Sequence, residues 1–125
     1  SEIQEALDKL AELKERAKSM VVEGHRQFNP GWHLALDLRN MLMVSECIAM
    51  AALERQESRG GHTRDDYPTM DESWRQELLV LSLRDGEVTL EHQGQPAMRS
   101  DLFDLFELDE LKKNPGKVGV TVKLF

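Results

Sequence analysis

A chain of 125 residues, 40% hydrophobic and 31% charged, has room for one domain with a modest core. Its 23 acidic against 16 basic side chains leave a formal charge of -7, a surface that repels phosphate backbones and anionic headgroups and so excludes nucleic acid as a partner. The single cysteine, Cys47, closes no disulfide within the chain and fits a reducing compartment.

In chain order, Ile3, Leu7, Leu10, Leu13, Ala17, Met20 and Val21 recur every three or four residues and predict an amphipathic helix over about 2–22. Glu5 with Lys9 and Glu12 with Arg16 are acid-first pairs four apart on its other face. Gly24 is the expected stop. Asn29 followed by Pro30 has the chemistry of an N-cap and a first helical residue, opening a second helix over about 30–58. Its apolar positions, among them Leu34, Leu36, Leu38, Met41, Leu42, Met43, Val44, Cys47, Ile48, Met50 and Leu53, spread around much of the circumference. A helix apolar on most sides belongs inside a larger body, so part of it is expected to pack against something outside this chain or against the C-terminal half. The longest apolar run, Cys47 to Leu53, is far shorter than the roughly 20 residues that cross a bilayer. No basic and apolar leader opens the chain, so membrane attachment is expected only through other subunits.

Gly60 and Gly61 are expected to end the second helix, because glycine accepts the left-handed backbone of a C-terminal cap. An ordered loop follows over 59–73. Two short apolar runs flanking Asp85-Gly86, a pair suited to a tight turn, predict a β-hairpin over about 78–92. Leu102, Leu105, Phe106, Leu108 and Leu111 then predict a short third helix over about 101–113, broken at Asn114-Pro115-Gly116. The stretch 118–125 fits an edge strand or a disordered tail equally. The expected fold is mainly α, an antiparallel helical bundle of two long helices plus a short third, with a small β-hairpin in the C-terminal half of a single domain spanning 1–125.

Chemistry concentrates in ESRGGHTRDDYP, Glu57 to Pro68, with two arginines, one histidine and three carboxylates beside two glycines. As an active site, His62 would exchange protons while Arg59 and Arg64 clamp an anionic substrate. As a structural element, Arg59 would neutralise the negative end of the second helix while Asp65 or Asp66 pairs Arg64. Loop-ordering ion pairs are the commoner case, and residue types favour the second reading. A metal site from His62, Asp65 and Asp66 matches no established ligand spacing. His25 and His33 flank a helix boundary as expected caps or solvated residues, His92 is expected in a strand without an obvious companion, Ser58 lacks a nucleophile elbow, and Cys47 lies mid-helix away from any activating terminus. No glycine-rich dinucleotide or triphosphate motif occurs. Met41, Met43 and Met50 read as core filling, and Trp32 and Trp74 as anchors at the two ends of the second helix.

NPGWHLALDLRNML, continuing into ESRGGHTRDDYP and closing with DESW, resembles the C-terminal domain of succinate dehydrogenase and fumarate reductase flavoproteins. The likeness is most specific between Asn29 and Trp74. Beyond Trp74 it thins, and LFDLFELDELKK replaces the proline and basic ending of many members, which suggests a particular subgroup. The resemblance implies an FAD enzyme that interconverts succinate and fumarate and passes electrons to an iron-sulfur subunit and on to a quinone. It places the subunit in the cytoplasm, peripheral to the inner face of the cell membrane. It also implies that the flavin and all reacting groups belong to other domains. No catalytic, cofactor-binding or metal residue is therefore assigned in this chain, and the isolated piece is expected to be inactive. Arg59, His62, Arg64, Asp66 and Tyr67 match the family's loop signature and are expected to pin this domain to the flavin-binding domain or the iron-sulfur subunit. L-aspartate oxidase has a similar SRG-x-H loop ending in DYP, but the hairpin and the longer tail argue against it. A free-standing helical interaction module is opposed by the apolar coverage of the second helix.

Overall fold

The computed structural model describes residues 1–97, 99–103 and 105. Their elements run α1 (Glu2–Ala17), α2 (Gly31–Glu54), a 3-10 turn (Glu72–Arg75), β1 (Glu77–Arg84), β2 (Glu87–Gly94) and α3 (Ser100–Phe103). The Ser1 hydroxyl accepts the Gln4 amide, Glu2 and Glu5 occupy the first turn of α1, and Lys14 and Arg16 the last, each complementing the helix dipole. Lys9 turns to Glu12 at 2.9 Å instead of to Glu5. The helix stops at Ala17, five residues short of the expected 22. The amides of Lys18, Ser19 and Met20 bond three residues back, and the Ser19 hydroxyl donates to the Arg16 carbonyl at 2.9 Å, so a tightened turn and a competing side chain close it.

α2 begins at Gly31 with Pro30 as its cap, one residue later than expected, although Asn29 still holds its start. The Asn29 amide oxygen accepts the Gly31 amide at 2.9 Å, while its nitrogen donates to the Glu23 carbonyl at 2.8 Å. A Cβ on Gly31 would lie 2.9 Å from both the Asn29 side chain and Val22, so this close approach needs glycine. One residue earlier, Phe28 is held at φ +56, a left-handed backbone that costs a bulky residue about 1–2 kcal/mol. The other end of α2 departs from expectation: it stops at Glu54, not near 58, because Arg55 swings into extended geometry at φ -73 and ψ 99. The two glycines are not the helix stop. They form a tight two-residue turn in which Arg59 and His62 exchange both backbone hydrogen bonds, at 2.8 and 3.0 Å, with Gly60 at φ +60.

The hairpin forms where expected and extends slightly beyond 78–92. β1 and β2 are antiparallel, with Leu81 opposite Leu90 and Ser82 opposite Thr89. Asp85 at φ 53 and Gly86 at φ 87 supply the two positive angles that a type I′ turn demands. The hydroxyls of Ser82 and Thr89 lie 3.0 Å apart across the ladder.

The start of α1 lies beside the end of α2, where Ile3, Leu10 and Leu13 share an apolar trough with Ile48 and Ala52. At the other end Met20 and Val21 share a groove with Leu34, Leu38 and Met41. Lys14 bridges the helices by pairing with Glu46 at 2.5 Å. Leu83 and Val88 of the hairpin face Leu42 and Met43 across a further cleft. Among the described residues, Leu42 is the one buried hydrophobic side chain, at 8% exposure, while Leu34, Leu36, Met41, Val44 and Ile48 of α2 lie exposed. The hairpin therefore covers part of α2 and leaves the rest open. Of the expected third helix, Ser100–Phe103 is described. The remainder of 101–113, the Asn114-Pro115-Gly116 break and the stretch 118–125 lie outside the described residues.

Candidate functional site

Leaving α2 in extended form, the chain alternates sides residue by residue, which brings Arg55, Glu57 and Arg59 together. Glu57 is wholly buried. Its carboxylate accepts from the Arg59 Nε at 3.0 and 3.1 Å, from the Asp71 amide at 3.0 Å and from Arg55 Nη1. Burial pushes this carboxyl up, but hydrogen bonds from Arg59, the Asp71 amide and Arg55 outweigh it and hold the pKa at about 2. Glu57 therefore stays ionised. The same bond raises the pKa of Arg59, whose Nη2 also donates to the Asp71 carbonyl at 2.9 Å.

Arg64 anchors the other half of the loop. Buried itself, it grips Asp66 bidentately at 2.7 and 2.6 Å, and its Nη1 donates to the Ala52 and Leu53 carbonyls at 2.9 and 2.8 Å. Those carbonyls belong to the last turn of α2, which has no following turn to satisfy them. The pairing raises the Arg64 pKa and lowers that of Asp66. The Tyr67 ring lies 5.0 Å from the Arg64 guanidinium carbon, within cation–π range. His62 Nε2 donates to the Arg55 carbonyl at 3.1 Å, extending the same cap. The Ser58 hydroxyl accepts the Arg64 amide at 2.8 Å and donates to the Tyr67 carbonyl at 2.7 Å. Asp71 caps the 3-10 turn through the Ser73 hydroxyl and amide, which lower its pKa.

A third layer joins loop and hairpin. Trp74 meets the Arg55 guanidinium at 5.1 Å from its ring centroid and the His92 ring, tilted by 39°, at 5.5 Å between centroids. His92 in turn meets Glu54 at 2.9 Å and Glu77 at 3.5 Å.

All five signature residues thus gather at the C-terminal end of α2, but with two roles exchanged. Arg64, not Arg59, satisfies the helix carbonyls; Arg59 pairs with Glu57. The expected Arg64–Asp66 pair is present, with Asp66 and not Asp65 as partner. Sequence reasoning passed over Glu57, Arg55, Ser58 and Asp71 as members of the network. The signal for the first two was the spacing Arg55-x-Glu57-x-Arg59, which opposes charges only if the segment is extended, and the expected helix through 58 concealed it. Chemically, both guanidinium groups are engaged by carboxylates of this chain, so neither is poised to clamp a substrate anion. Among the described residues no three His, Cys, Asp or Glu side chains converge as metal ligands. Among the described residues no glycine-rich turn carries a strand into a helix.

A helix end, an ion-paired loop and a hairpin are joined here into one unit, its charged groups engaged with one another. The chain belongs to the family described as Fumarate reductase flavoprotein C-term, whose model matches residues 1–113. It is 36% identical over 105 residues to the fumarate reductase flavoprotein subunit of Haemophilus influenzae, covering 78% of this chain and 18% of that one. It is 39% identical over 85 residues to the succinate dehydrogenase flavoprotein subunit of Coxiella burnetii, covering 67% of this chain and 14% of the other. A solved chain from the Mycobacterium smegmatis Sdh1 complex in the apo form is 59% identical with a TM-score of 0.78, and the match covers 89% of this chain and 20% of that one. The chain thus spans a fifth or less of these relatives.

Proposed function

We propose that this chain serves as the C-terminal helical domain of a succinate dehydrogenase or fumarate reductase flavoprotein subunit and supports its assembly. The intact subunit binds FAD outside this chain, interconverts succinate and fumarate, and passes electrons to an iron-sulfur subunit. In that setting residues 1–125 form one domain, and α1 and α2 contribute an antiparallel pair to a helical bundle. The subunit lies on the cytoplasmic side, attached to the membrane only through other subunits; no helix among the described residues is long and apolar enough to cross a bilayer.

One observation carries this reading: Arg59, His62, Arg64, Asp66 and Tyr67 close a network at the end of α2, while apolar side chains along α2 stand open. A closed charged loop beside an open apolar face suits a domain that is held rigid in order to be covered by another body. Arg59, His62, Arg64, Asp66 and Tyr67 pin the domain to the flavin-binding domain or the iron-sulfur subunit by fixing the shape of that loop. Replacing Arg59 with Ala in the full-length flavoprotein tests the role. The expected outcome is a complex that falls apart on size exclusion, with the Michaelis constant for succinate unchanged in whatever stays assembled. Normal assembly with lost substrate binding would overturn the assembly role and restore the active-site reading of the loop.

A further inference from the structure

Phe28 combines two features that rarely meet in one residue. Its backbone is left-handed at φ +56, and its ring is completely exposed. A bulky residue held in that region is strained, and such strain persists only where surrounding structure imposes it. Here the imposing contacts are visible. Asn29 ties the chain back to the Glu23 carbonyl and forward to the Gly31 amide, the Gln27 amide donates to His25 Nδ1 at 3.1 Å, and Gly24 turns the chain at φ +96. The ring is thus presented from a braced turn, and among the described residues no contact repays the strain. Beside it, the groove that starts at Asn29 is lined by Met20, Val21, Leu34, Leu38 and Met41, of which Met20, Val21, Leu34 and Met41 are exposed.

We propose that Phe28 is an anchor residue whose ring seats in an apolar socket on the flavin-binding part of the same polypeptide, with the adjoining groove covered by the surface around that socket. The inference rests on the functional reading above and adds the place of contact. Three observations favour a socket in the same chain over one on another subunit. The strain is a permanent feature of the fold, so its compensation has to be permanent too. The groove walls are mostly aliphatic and thioether side chains, joined by Glu23 and Asn29, a composition closer to an obligate interface than to an exchanging one. The related solved chain with 59% identity is matched over only 20% of its length, so most of a homologous polypeptide is at hand to supply the cover.

The test places a photoreactive benzophenone ring at position 28 of the full-length flavoprotein, co-produced with its iron-sulfur subunit, and maps the crosslinks by mass spectrometry after irradiation. The expected product is an internal crosslink to a peptide of the flavin-binding part, with the subunit's mass unchanged. A crosslink to the iron-sulfur subunit, or none, overturns the proposal. Phe28→Gly supplies an independent measure, since glycine relieves the backbone strain while deleting the ring. The proposal expects the flavoprotein without its partner subunits to melt at a lower temperature; an equal or higher melting temperature overturns it. Flavin content and succinate-fumarate activity of the unaltered protein are recorded alongside. Their absence would sink the functional reading, whereas the crosslink position decides the anchor separately.

Discussion

Glu57 shows how one buried charge organises a loop. An ionised carboxylate is tolerated at zero exposure because two arginines and the Asp71 amide surround it, and removing one partner of such a group typically costs about 3–5 kcal/mol. Glu57→Gln should destabilise the chain by an amount of that order, read as a lower urea midpoint at neutral pH. Acid tests the same residue. Its folded pKa lies at about 2 against an ordinary 4.5, so its stabilisation is complete above about pH 4.5 and is lost as pH falls through about 2. The urea midpoint of the unaltered chain should therefore drop between pH 7 and pH 3 more than that of Glu57→Gln, and parallel drops would assign the acid sensitivity to other groups. Arg64→Lys should also destabilise, because an ammonium cannot grip Asp66 with two parallel bonds while reaching two carbonyls. At this scale the sequence revealed which residue types cluster and the Arg64–Asp66 pair. It did not reveal which arginine serves which partner, since that depends on where Arg55 leaves the helix.

The elements separate local signals from tertiary ones. The hairpin was legible because Asp85-Gly86 carries its own instruction, two left-handed residues that few other pairs accept. The ends of both long helices were not. Ser19 and Arg55 decide them, one by a side-chain bond to Arg16, the other by extending toward a carboxylate two residues on, and neither leaves a strong mark on helical periodicity. Gly60 and Gly61 looked like a cap because the same backbone freedom serves a tight turn. Their environments make a sharp prediction. Neither would gain a clash from an added methyl group, but only Gly60 is at positive φ, so Gly60→Ala should cost about 1–2 kcal/mol and Gly61→Ala close to nothing. Gly86→Ala, at φ 87, should behave like Gly60→Ala. Thermal denaturation of the three variants checks all of this at once, and equal costs at 60 and 61 would refute the turn geometry.

For the whole molecule, the apolar reach of α2 was readable from its sequence, and so was the expectation that part of it packs against something outside this chain or against the C-terminal half. What covers it was not readable, because an apolar stripe records that a face is covered and not by what. With Leu42 as the one buried hydrophobic among those described, the chain on its own should self-associate through its open grooves. Leu34→Glu together with Met41→Glu should suppress that association in sedimentation velocity runs. A strictly monomeric unaltered chain at high concentration would show the grooves to be indifferent to partners. The same molecule carries an optical consequence. The Trp74 indole lies against the guanidinium of Arg55, just past α2, and the imidazole of His92 on β2, so its emission should change when the loop, the helix end and the hairpin part company. With Trp32 silenced by phenylalanine, one chromophore would time the order in which these three parts lock during refolding.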